Sequence, residues 1–214
     1  MKVVFRQPFI EEYVTGKVVL DLGSIEHDLY RENIERGKWL FDKIHRRAKK
    51  AIGIDILPEA IEELKKAGYD LRYGDVEHLD QLKFEEKFDL IIAGELIEHL
   101  SNPGLFLNGI ARHMGENTEL LISTPNAFGF IRFIDAAIRR ERTRPDHVAW
   151  HSARTLSQLI EANGLKVKEI IFYSFLSGKK RSVFLTKIRK FIFKFFPYFS
   201  DGLIAIAVKP VQQV

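Results

Sequence analysis

The chain has 214 residues, 46% hydrophobic and 29% charged, the balance of a globular protein long enough to bury a full core. It contains no cysteine, which excludes disulfides and thiolate metal sites and makes a cytoplasmic location the expectation. The net charge is only +4, no apolar run reaches the roughly 18–20 residues of a membrane span, and residues 1–7 lack the apolar core of a secretory signal.

Strand-type and helix-type patterns alternate from about residue 17 onward. A β-rich run at 18–22 ends at Gly23, and helical periodicity follows over about 38–50. The next strand is expected at 51–55. Pro58 opens a helix through Ala67, which Gly68 stops. A short strand at 70–73 closes on Gly74-Asp75, and a buried strand at 88–93 runs into Gly94-Glu95. A helix is expected over 102–113 around Pro103, and a strand at 119–123 ends at Thr124-Pro125-Asn126. Ser152 is the expected cap of a helix that ends at Gly164, and strands at 166–173 and 203–208 complete the pattern. Continuous apolar strands separated by helices predict an α/β fold, a doubly wound, seven-stranded, mostly parallel sheet covered on both faces. One domain over 1–214 is expected, with insertions at about 128–146 and 178–200.

Chemistry-bearing residues recur at successive strand ends: Asp21 and Gly23, then Asp55, then Asp75-Val76, then Glu95. In an open α/β sheet this is the edge where ligands bind. A glycine after the first of these strands allows close backbone approach, and an acid after the second can accept ribose hydroxyls. Glu95, Glu98 and His99 stand at i, i+3 and i+4, so a helix starting there would put all three on one face. A Gly-x-Gly-x-x-Gly turn is absent, which argues against a nicotinamide-binding domain.

These residues, with Leu121–Asn126 and the stretch from His147 to Gly164, resemble the class I S-adenosylmethionine-dependent methyltransferases over about residues 17–209. The resemblance implies a Rossmann-like sheet with a reversed last strand. It implies that Asp55 holds the ribose, that Asp75 takes the adenine amine, and that Ile56 and Val76 flank the ring. Gly23 would face the methionyl part, Asp21 would order that loop, and Glu95 would close the pocket. One departure stands out. The family usually has further glycines after Gly23, where this chain reads Ser24-Ile25-Glu26-His27-Asp28. Such a loop could still cradle S-adenosylmethionine through its backbone amides.

Candidates for the reacting groups are Glu95, Glu98, His99, His147, His151 and His27. Glu-x-x-Glu-His followed by a later histidine is similar to the metal-binding set of the quinone-biosynthesis O-methyltransferases and the small-RNA 2′-O-methyltransferases. That similarity implies a divalent cation (Mg, Mn or Zn) on Glu95, Glu98, His99 and His147, with His151 as the alternative fourth ligand. Without a metal, His99 or His147 is the candidate general base. O-methylation of a small-molecule, lipid-linked or glycan-linked acceptor is the expected reaction. RNA 2′-O-methylation and a non-catalytic nucleoside-binding protein are the alternatives.

Lys and Arg concentrate at 42–50, 139–144 and 179–194. The stretch 179–199 holds seven of them and no acid, interleaved with phenylalanines. On a helical wheel Phe184, Leu185, Ile188, Phe191, Ile192, Phe195 and Phe196 form one broad face, with Phe193 at its margin. Such a helix could cap an acceptor pocket, lie in a membrane interface, hold single-stranded RNA or simply pack on the sheet. The expected partners are therefore an acidic or lipid-linked small molecule and a peripheral membrane contact.

Overall fold

Within each central strand, alternate side chains feed two separate cores. Leu20 and Leu22 of one strand enter one core while Val19 enters the other; Ile91 and Ala93 of a neighbour oppose Leu90 and Ile92 in the same way. Strands buried on both faces cannot show polar alternation, which is why they read as continuous apolar runs. The computed structural model describes residues 3–26, 29–175 and 191–210.

Eight strands form one sheet: β1 (Val3–Phe5), β2 (Val18–Leu22), β3 (Lys50–Asp55), β4 (Leu71–Tyr73), β5 (Leu90–Gly94), β6 (Glu119–Pro125), β7 (Lys166–Ser174) and β8 (Gly202–Val208). Their order across the sheet is β1-β7-β8-β6-β5-β2-β3-β4. Every neighbouring pair is parallel except those that involve β8, which runs antiparallel to both β6 and β7. The reversed last strand is thus present. The expected count of seven is short by one, because β1 is only three residues long and carries no alternating pattern.

Helices α1 (Arg6–Tyr13), α2 (Tyr30–Glu35), α3 (Leu40–Arg47), α4 (Pro58–Lys66), α5 (Pro103–His113), α6 (Phe130–Ala137) and α7 (Ala153–Ala162) connect the strands. One core gathers apolar side chains of α1, α3 and α4, and the other those of α5 and α7. Local chemistry sets the ends. Asn102 caps α5 through the Leu105 amide, and Ser152 caps α7 in a reciprocal pair with Thr155. Gly68 and Gly164 follow α4 and α7 at φ 98° and 79°, the left-handed stop expected of glycine there.

The expected helix start at Glu95 is not α-helical. Glu95 takes φ 57°, and only a single 3-10 turn (Ile97–His99) follows before the chain extends again. Pro103 sits four residues beyond His99 and starts its own helix, so there is no length for an α-helix between them. Glu95 therefore does not share a helical face with Glu98 and His99. The predicted helix around 184–196 lies largely outside the described residues, and of it only 191–195 is seen, as helix.

Candidate active site

The site is built at the carboxyl ends of β2, β3, β5 and β6. Gly23 leaves β2 at φ 70°, and a side chain there would press within 2.9 Å of Leu96. The loop then closes on β3: the Gly23 and Ser24 amides donate to the Ile54 carbonyl, and the Ile25 amide donates to Asp55 Oδ2 at 2.8 Å. Ser24 Oγ donates to the Asp21 carbonyl, and the Trp39 indole N–H donates to the Ser24 carbonyl. Serine in place of a second glycine thus adds an internal tie. It also means that the amides expected to cradle a cofactor already donate within the protein.

Asp55 is buried, and its Oδ1 also accepts from the Ile56 amide. Beside it Ile56 is half exposed and open to a ligand. Asp75 is exposed and caps the next turn (Val76–Gln81) through the Glu77 amide, which leaves Val76 buried beneath it.

Arg6 is the group the sequence reading missed. It is buried where β1 passes into α1, its Nε donates to Ser123 Oγ at 2.9 Å, and a side chain on Gly94 would meet its guanidinium at 2.7 Å. Its charge acts on Asp21, Glu26, Glu98 and the Tyr173 hydroxyl. Only the pairing of β1 with β7 at the sheet edge brings it there, so no local pattern announces it. Acids still outnumber it. Burial pushes the Asp21 carboxyl up to about 7 against the opposing pull of Ser24 and Arg6. Burial followed by repulsion from Glu95 pushes Glu98 up to about 8.

Glu95 is held from two sides. Its amide donates to the Ser123 carbonyl at 2.8 Å, and its carboxylate accepts a hydrogen bond from the Tyr173 hydroxyl. Burial and then Glu95 raise the Tyr173 pKa, so the phenol stays a donor. The left-handed backbone at Glu95 is strain that these partners maintain.

Glu98 organises the other half. Its carbonyl accepts from the amides of Val148 and Ala149 at 2.9 and 3.2 Å, which clamps the His147 segment onto the 3-10 turn. Its Oε2 accepts from Thr124 Oγ1 at 3.0 Å, while Oε1 is buried with no partner. His99 Nδ1 lies 3.0 Å from the Asp146 carbonyl and 3.3 Å from Asp146 Oδ2. The His99 and His147 rings meet edge to face at 4.6 Å. His147 Nδ1 is also buried without a partner, and burial, then His99, lowers the pKa of that ring.

Donor atoms of Glu98, His99 and His147 all lie within 4.8 Å of one another. They are the one such group of acids and imidazoles among the described residues. Glu95 is outside that trio, for the backbone reason given above. His151 is outside it too: it is buried, bridges to Asn126 at the end of β6, and has its pKa lowered by burial. His27 lies outside the described residues. The trio's two unpartnered buried atoms and its mixed O/N donors fit a divalent cation.

The methyltransferase-domain family profile matches residues 6–170. No curated protein sequence matches the chain significantly. Solved structures with a similar fold include a SAM-dependent methyltransferase from Archaeoglobus fulgidus (19% identity, 95% of this chain, 90% of that one, TM-score 0.58). Another is a SAM-dependent methyltransferase from Thermotoga maritima, described as a possible histamine N-methyltransferase (14% identity, 95% and 87%, TM-score 0.65). A third is magnesium protoporphyrin IX methyltransferase from Synechocystis PCC 6803 with bound SAH (15% identity, 95% and 82%, TM-score 0.56).

Proposed function

The chain belongs to the class I S-adenosylmethionine-dependent methyltransferases, and on that premise we propose that it transfers the methyl group to a hydroxyl of a small, lipid-linked or glycan-linked acceptor. The observation that carries this reading is the convergence of Glu98, His99 and His147 within 4.8 Å at the carboxyl end of β5. Methyl transfer from a sulfonium is an in-line displacement, so the protein has to orient the acceptor and take up or polarise its proton.

Asp55 and Ile56 would hold the nucleoside, with Asp75 and Val76 at the base. Gly23, Asp21 and Glu95 would bound the methionyl end. The surplus of buried acids around Arg6 suits a ligand carrying sulfonium and ammonium charges. Glu98, His99 and His147 would hold a divalent cation, which when bound lowers the pKa of a hydroxyl it touches.

A second reading dispenses with the metal. Asp146 holds His99 Nδ1, which leaves Nε2 as the nitrogen able to take a proton. Labelled methyl transfer from S-adenosylmethionine to a panel of phenols, catechols and sugar lipids tests the proposal. Wild type should place label in an ether. Glu98→Gln and His99→Ala should lose about a hundredfold or more in turnover while calorimetry shows intact cofactor binding. Turnover unchanged in both variants would remove the trio from the reaction.

A further inference from the structure

The helix α6 is turned inside out. Its only buried residue is Asp135, whereas Ile131, Phe133 and Ile134 are exposed. Asp135 is occupied by Arg142, whose Nε donates to it at 2.9 Å. A helix that hides its acid and presents its hydrophobics is not completed by packing among the described residues.

A second exposed segment lies against it. Residues 191–199 present Phe191, Phe195 and Phe196 outward, and only Phe193 is buried among their phenylalanines. On the helical wheel Phe193 sits at the margin of the apolar face, so most of that face within 191–196 is open. The two segments touch: the Phe130 and Phe199 rings are 6.1 Å apart, and Asn126 Nδ2 donates to the Tyr198 and Ser200 carbonyls.

Exposed cations accompany these side chains along both segments. Arg139, Arg140 and Lys194 are exposed and have no acidic partner among the described residues. The Arg132 guanidinium of α6 stacks over Trp150, whose ring meets that of His147, so α6 adjoins the candidate site. Among the described residues no helix is long and apolar enough to cross a membrane.

We propose that α6 and residues 191–199 form one docking face for an anionic lipid bilayer, with the aromatic and aliphatic side chains in the acyl boundary and the arginines among the headgroups. Large exposed apolar groups beside exposed cations that have no acidic partner among the described residues match the chemistry of an anionic lipid surface, where both terms add. Single-stranded nucleic acid would satisfy the cations and the rings but leave Ile131 and Ile134 in water. Docking here sets the acceptor entrance against the lipid surface.

The test is cosedimentation of the full chain with phosphatidylcholine vesicles, with and without one third phosphatidylglycerol. It needs neither cofactor nor turnover, so its outcome is separate from that of the methyl-transfer reading. Binding is expected only to the anionic vesicles and should be lost in 0.5 M salt. Arg139→Glu with Arg140→Glu, and separately Phe133→Ser with Ile134→Ser, should each lower partitioning by about tenfold or more, with unchanged melting temperatures. Absence of binding, equal binding to neutral vesicles, or variants that bind like wild type would overturn the proposal. It would also be overturned by a wild-type dimer that the Phe133→Ser, Ile134→Ser variant abolishes, or by oligonucleotide binding where vesicles fail.

Discussion

Asp21 joins fold and site in a single carboxyl group. In the unfolded chain it titrates near 3.8, whereas burial in the folded protein pushes it up to about 7. Between these values the unfolded chain has released a proton that the folded chain retains, so this group makes stability fall as pH rises through the window. The effect is at most about 4 kcal/mol, the distance from 3.8 to about 7 at 1.36 kcal/mol per pH unit. Asp21→Asn removes that slope. Without cofactor, its melting temperature should exceed that of wild type at pH 8, and the gap should close towards pH 4; parallel curves would contradict the burial account. Asp21 stands out in the sequence, because an acid before Gly23 interrupts an otherwise apolar strand. Its partner Arg6 does not, since it comes from the far edge of the sheet.

Among the elements, the β7–β8 pair governs Glu95 from a distance. Tyr173 and Gly202 are register partners, and a Cβ on Gly202 would overlap the Tyr173 ring and hydroxyl. Gly202→Ala has to displace the ring that holds Glu95. It should cost about 1–3 kcal/mol in urea denaturation, and an unchanged midpoint would show that the ring does not occupy that space. Helix ends were legible where capping chemistry is local, at Ser152, Gly68 and Gly164. The orientation of α6 was not, because periodicity shows an apolar stripe without saying that it faces outward and that the acid is the buried residue. The turn after β5 misled for another reason. The spacing of Glu95, Glu98 and His99 suits an α-helix, but the left-handed Glu95 is imposed by the Ser123 carbonyl and by Tyr173.

For the whole molecule, ligand binding and folding are linked. S-adenosylhomocysteine at a hundred times its Kd should stabilise the protein by about 2.7 kcal/mol, read as a rise in melting temperature. Asp55→Ala should abolish that rise if Asp55 holds the nucleoside. Chelator-treated protein should gain melting temperature on adding Mn²⁺, and His147→Ala should not; no gain in wild type would leave His99 to act as a base alone.

The sequence by itself determined the doubly wound, mostly parallel sheet and the line of acids at the strand ends. It could do so because strand hydrophobicity and turn chemistry are short-range. Only the tertiary structure decided which of these groups meet. The Val148 and Ala149 amides close on the Glu98 carbonyl, some 50 residues away, and that contact selects His147 over His151. Strand β1 carries Arg6 under Gly94, and two insertions far apart in the chain combine into one exposed face. These are long-range contacts set by how the sheet closes, and no spacing along the chain encodes them.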